Sequence, residues 1–112
     1  MFIRSLLAAL LLALSVPAAA DFEVVSQAYE VPLADLRLPG TVNGTVSFRE
    51  CETCTYQTVR ATATTVYQVN GQALSLQDFQ KELEGIQARG DVIATVLHHL
   101  ESDTIEAIYV WF

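Results

Sequence analysis

The chain has 112 residues, with 13 acidic against 6 basic side chains and 52% apolar content. With the first twenty residues read as a removable leader, about 92 remain, enough for one small domain and too few for two. Arg4 lies in that leader, so the balance becomes 13 acidic to 5 basic, about −8, which argues against nonspecific nucleic-acid binding, while the remaining Val, Ile, Leu, Phe and Tyr argue against disorder.

Residues 1–20 have the three parts of a secretory signal: one positive charge at Arg4, an apolar run from Leu6 to Leu14, and small residues at Ala18 and Ala20 before Asp21. The run spans about 14 Å as a helix, against roughly 30 Å of bilayer hydrocarbon, which favours cleavage over anchoring. No Cys follows it to carry a lipid, and nothing after Asp21 is long or apolar enough to span a membrane as a helix. The expected address is the periplasm or the medium, with no membrane span after cleavage.

Residues 21–40 carry two prolines and no sustained period, and read as an N-terminal arm with a short strand near Phe22 to Val25. Thr41 to Arg49 alternates, with Val42, Gly44, Val46 and Phe48 on one face, as a half-buried strand does. After Cys51-Glu52-Thr53-Cys54, ten of the fifteen residues from Thr55 to Val69 are Thr, Val or Tyr, types that favour a pleated surface. Val59, Ala61, Ala63, Thr65, Tyr67 and Val69 share the inward parity, on one bent strand or on two strands broken near Ala63-Thr64. Asn70-Gly71 supplies a turn, because both residues tolerate positive φ.

Ser75 as N-cap, with Asp78 three residues on and Leu74 placed to staple Phe79, opens the one clear helix. Leu76, Phe79, Leu83 and Ile86 form its apolar stripe, and Arg89 and Gly90 suit its end. Val92–Leu100 and Ile105–Phe112 then read as a closing hairpin. The expected organisation is a leader (1–20), an arm (21–40) and a single β-rich domain (41–112).

This order, with an amphipathic helix between a third and fourth strand, resembles the OB-fold over Thr41–Phe112. The resemblance implies a mainly β, five-stranded antiparallel barrel that serves as a binding scaffold. The alternative is an open antiparallel sheet with one helix packed on it. The resemblance also implies a ligand face on the long strand, flanked by the Glu50–Cys54 turn and the Glu101–Thr104 loop. Outward residues there are Thr58, Arg60, Thr62 and Thr64, a polar row with one cation, suited to hydroxyl-rich or anionic ligands. Tyr56, Tyr67, Tyr109 and Trp111 read first as core.

Cys51 and Cys54 are the only cysteines. Such a pair serves as a structural disulfide, a redox-active dithiol or half of a metal site. A β-rich run follows Cys54, so the helix N-terminus that lowers a thioredoxin-type thiol pKa is missing, and Glu50 and Glu52 oppose thiolate formation. A metal site would take Cys51, Cys54 and one histidine such as His98, because His98 and His99 point to opposite faces of a strand. The disulfide is the leading reading and the thiol-redox or metal protein its alternative.

No hydrolase, zincin or nucleotide-binding motif occurs, no cofactor is implied, and Glu82 and Glu84 read as solvated charge on the helix. The Tyr109-Val110-Trp111-Phe112 ending is like an outer-membrane barrel strand, but about 92 residues are too few for eight such strands and a helix. The sequence therefore reads as a non-enzymatic binding or interaction module for an unidentified periplasmic ligand or protein.

Overall fold

The computed structural model describes residues 25–112, so the leader and the Phe22 end of the expected first strand lie outside the described residues. The elements are β1 (Ser26–Pro32), a 3-10 turn (Leu33–Asp35), β2 (Leu36–Arg37), β3 (Thr45–Phe48), β4 (Gln57–Arg60), β5 (Val66–Val69), β6 (Gln72–Leu74), α1 (Leu76–Glu84), a second 3-10 turn (Arg89–Asp91), β7 (Ile93–His99) and β8 (Thr104–Val110). All eight strands join one sheet in the path β1-β7-β8-β4-β3-β2, with β5 bonded to β8 and β6 to β5.

Two features separate this sheet from the expected barrel. Both β4 and β5 run parallel to β8, so the sheet is mixed and not antiparallel. It is also open, because β1 and β2, at the two ends of the path, share no ladder. The 3-10 turn Leu33–Asp35 carries the chain directly from β1, paired with β7, to β2, paired with β3. The helix follows β6, not a third strand. What holds is a sheet-dominated α+β architecture with one α-helix among the described residues.

The segment read as an arm supplies that connection. Seven residues of β1 pair with β7, Ser26 opposite His99 through Pro32 opposite Ile93, while Leu36 and Arg37 pair with Phe48 and Ser47 of β3. Val31 and Leu33 are wholly buried. The Leu33 amide donates to the Val92 carbonyl at 2.8 Å, and the Arg49 amide to the Asp35 carbonyl at 3.2 Å. The sheet curls far enough that the Tyr29 ring of β1 lies 5.1 Å from the Phe48 ring of β3.

The Thr55–Val69 run is broken, as one of its two readings allowed. Val59, Ala61, Thr65, Tyr67 and Val69 are buried on the inward parity, while Ala63 is exposed in the break. Arg60 is opposite Thr104 and Val66 opposite Ala107, so five residues of one side face two of β8. Thr65 compensates: its hydroxyl donates to the buried Ile105 carbonyl at 2.7 Å and accepts the Thr62 amide at 3.0 Å. A side chain thus supplies the bond that the ladder lacks. The expected strand from Thr41 is shorter, because residues 41–44 form a turn closed by the Gly44 amide on the Thr41 carbonyl at 3.0 Å. A Cβ on Gly44 would stand 2.9 Å from the Pro39 Cβ, so the turn requires glycine.

The Asn70-Gly71 turn forms with φ of 51° and 84°, and the closing hairpin forms as β7 and β8. Ser75 caps α1, its hydroxyl accepting the Asp78 amide at 3.2 Å. Leu76, Phe79 and Leu83 are buried and Ile86 packs against the core from its edge. The helix ends earlier than expected, at Glu84 with Gly85 as C-cap. Arg89 still serves that end, but as a side chain, donating to the Leu83 carbonyl at 2.7 Å and the Leu33 carbonyl at 3.4 Å. The exposed carbonyls of the last turn thereby gain a cationic donor tied to the β1–β2 connection.

Phe79 is fully buried, with its ring 5.1 Å from that of Tyr67. Phe79→Ala should therefore cost about 3–5 kcal/mol, measurable by urea unfolding; an unchanged midpoint would mean that Phe79 does not plug the core. The Tyr67 hydroxyl is buried without a hydrogen-bond partner, and burial raises its pKa above the ordinary value of 10.0. The unfolded chain then releases this proton first, so stability is full below about pH 10 and falls as pH rises toward the folded-state pKa. Tyr67→Phe should remove that part of the alkaline decline without lowering the melting temperature at neutral pH.

Candidate functional site

Strands β2, β3 and β4 bury Leu36, Val46, Phe48 and Val59 on one face, so the alternate residues form the other face. Ser47 lies opposite Arg37 and Thr58, and its hydroxyl is 3.0 Å from that of Thr58. Arg60 lies opposite Thr45. Arg49 follows β3 and Tyr56 precedes β4, one pair beyond the Phe48–Gln57 register. Of the five basic residues after the leader, Arg37, Arg49 and Arg60 thus share one sheet face.

Tyr56 organises the cations. The Arg37 guanidinium carbon lies 4.4 Å from its ring centroid and that of Arg49 4.6 Å, within cation–π range and worth about 0.5–1 kcal/mol at exposed sites. Arg49 is also fixed by Asp35: its Nε donates to Asp35 Oδ1 at 2.8 Å, and the Asp35 side chain is only 11% exposed. That hydrogen bond, followed by the attraction of Asp35, holds the guanidinium pKa above its ordinary value. Arg37 and Arg60 have no carboxylate partner within salt-bridge distance among the described residues.

The cysteines form a disulfide across the β3–β4 turn, with their Cα atoms 5.0 Å apart and the Cys54 amide on the Cys51 carbonyl at 3.1 Å. Arg49 and Tyr56 sit two residues outside the bridge on either side. The staple therefore holds together the two strand ends that carry the stacked pair. Because β4 and β8 run parallel, the turn before each lies at the same end of the sheet. The Glu50–Cys54 turn and the Glu101–Thr104 loop are thus on one side.

The four expected ligand residues divide into two groups. Thr58 and Arg60 are exposed on β4. Thr62 and Thr64 lie in the break, with their hydroxyls 2.9 Å apart and the Thr62 hydroxyl accepting the Thr64 amide, so they shape a turn instead of extending the row. Arg37, Arg49 and Tyr56 were missed. Tyr56, expected in the core, is half-buried on the outer face, where the alternation of Thr58 and Arg60 would have put it; the contribution of β2 was hidden, because its segment was read as an arm.

Cys51, Cys54 and His98 are not brought together: among the described residues no group of three or more His, Cys, Asp or Glu has the proximity to hold a metal ion. His98 Nε2 is 2.7 Å from Asp103 Oδ1, and His99 Nδ1 is 2.8 Å from the Ser102 hydroxyl. Both histidines serve the β7–β8 turn, with a β-bulge between Leu97 and His98 altering their facing. Among the described residues no helix is long and apolar enough to cross a membrane.

Comparison with protein-family models, curated proteins and solved structures returns no match.

A disulfide closing so short a loop stabilises by about 2 kcal/mol in the chain-entropy account. The Cys51→Ser/Cys54→Ser double variant should lose about that amount in urea unfolding, and the untreated protein should show no titratable thiol. Two free thiols in protein from an oxidising compartment would refute the staple.

Proposed function

We propose that the chain is a non-enzymatic binding module of an oxidising, extracytoplasmic space, reached through its leader, and that its ligand is anionic and hydroxyl-rich. The ligand lies across the outer face of β2, β3 and β4. The observation that carries this reading is the stacking of Arg37 and Arg49 on Tyr56, with Arg60 farther along the same face, in a chain with 13 acidic residues against 6 basic. Asp35 neutralises Arg49 alone, so Arg37 and Arg60 leave this face positive in an acidic chain, and a positive face attracts an anion. Arg37 and Arg60 offer guanidinium forks suited to carboxylate or sulfate groups, and Ser47 and Thr58 offer hydroxyls between them. The disulfide and the leader support the address.

A uronic-acid hexasaccharide titrated into isotopically labelled protein, followed by NMR, tests the reading. Shifts should concentrate at Arg37, Ser47, Arg49, Tyr56, Thr58 and Arg60. Arg37→Ala/Arg60→Ala should weaken binding by about tenfold or more, equivalent to about 1.4 kcal/mol, and flatten its salt dependence. Both residues are exposed, so stability should change by under about 0.5 kcal/mol for Arg60→Ala and by about 0.5–1 kcal/mol for Arg37→Ala, which loses its contact with Tyr56. Absence of binding, or shifts centred elsewhere, would overturn the proposal.

A further inference from the structure

The outer face of the sheet changes character along its width. Over β2, β3 and β4 it is polar, as is usual for the solvated side of a sheet. Over β5, β8, β7 and β1 it is not. Val66 lies opposite Ala107, Ala107 opposite Leu97 and Leu97 opposite Ala28. These four form one apolar row, on the parity opposite to the buried Tyr67, Ile108, Val96 and Tyr29. Ile93 and Trp111 flank the buried Ala94–Val110 pair and so emerge on the same side. Val66, Ile93 and Trp111 are 40%, 43% and 64% exposed, although an apolar sheet face is normally covered by another layer.

Trp111 is held in place. The Phe112 amide donates to Asn70 Oδ1 at 2.9 Å and the Asn70 amide donates to the Val110 carbonyl at 2.9 Å, so Asn70 clasps the backbone on both sides of Trp111. Its ring lies over Gly71, where a Cβ would stand 3.2 Å from the indole. An ordered aromatic side chain in water suits an interface anchor, because little freedom is left to lose on binding.

Charge selects the occupant. β1, β5, β6, β7 and β8 contain no Lys or Arg. Two carboxylates lie on this face. Glu30, opposite Thr95, accepts its hydroxyl at 3.2 Å, and Glu106 accepts the Ser26 hydroxyl at 3.0 Å. A second copy packed through the same face would bring identical carboxylates together, and an anionic bilayer would be repelled. A cationic apolar segment is attracted.

We propose that this face docks an amphipathic helix of another protein, with Lys or Arg bordering its apolar stripe. The stripe lies on Val66, Leu97, Ile93 and Trp111, and the cations reach Glu30 and Glu106. The arginine face plays no part in this contact.

The probe is an amphipathic peptide of leucine and lysine, about 18 residues or five helical turns long, titrated into the full mature chain. Binding is followed by NMR and by the fluorescence of Trp111, the one tryptophan of the chain. A peptide with glutamate in place of lysine is the control. The lysine peptide should shift Val66, Ile93, Leu97 and Trp111 and move the tryptophan emission to the blue. The glutamate peptide should bind at least about tenfold more weakly. Glu30→Gln/Glu106→Gln should weaken the lysine peptide about fivefold and flatten its salt dependence. Ile93→Lys should weaken it about tenfold or more, and Arg37→Ala/Arg60→Ala should leave it unchanged. Unchanged melting temperatures would show that the Glu30, Glu106 and Ile93 variants fold. No binding, shifts centred elsewhere or equal binding of the glutamate peptide would each overturn the proposal. So would self-association of the protein that Ile93→Lys abolishes, or a blue shift of Trp111 on phosphatidylcholine vesicles.

Discussion

The fold depends on a short covalent constraint. Leu33–Asp35 joins the strand at one end of the hydrogen-bonded path to the strand at the other, so the sheet has to curl until its two ends come within three residues of each other. The curl lets Tyr29 meet Phe48 and gives so small a chain an enclosed interior without a closed ladder. Burial of Val31, Leu33 and Leu36 secures the connection from inside. From outside it is held by backbone bonds to Val92 and from Arg49, and by the Arg89 side chain.

The same constraint positions the arginine face. β2 is only two residues long, yet it sets Arg37 beside β3 and Asp35 beside Arg49. Without the turn, Arg49 would lose its carboxylate partner, and Tyr56 would carry one guanidinium in place of two. The disulfide acts on the other side of the same face, closing the turn from which Arg49 and Tyr56 emerge. One face is thus built from three stretches of chain that are individually short and weak, held by a buried connection and a covalent staple.

The break at Ala61–Thr65 performs a second division. Below it β4 belongs to the arginine face; above it β5 turns to support α1. A continuous strand would have carried the β4 row onward as one polar ladder. The hydroxyl of Thr65, by satisfying the Ile105 carbonyl, makes the interruption tolerable in a buried position where an unpaired carbonyl would be costly.

What the sequence determined was local. The Ser75 cap, the Leu76–Phe79–Leu83 stripe, the Asn70-Gly71 turn, the inward facing of Val59, Ala61, Thr65, Tyr67 and Val69 on either side of the break and the cysteine staple all rest on residues within a few positions of one another, where spacing and backbone preference decide. Tertiary structure decided the rest. That β8 runs parallel to β4 and β5, that residues 26–37 bridge the two ends of the sheet, and that Arg37 meets Tyr56 are contacts between distant segments. Prolines and the lack of a period made the first of those segments look like an arm, because its seven-residue strand has only Tyr29 and Val31 buried among exposed or half-exposed neighbours. Alternation in a sequence reports which residues of a strand face inward; it carries no information about which strand lies alongside, because every strand presents the same backbone donors and acceptors to its neighbour.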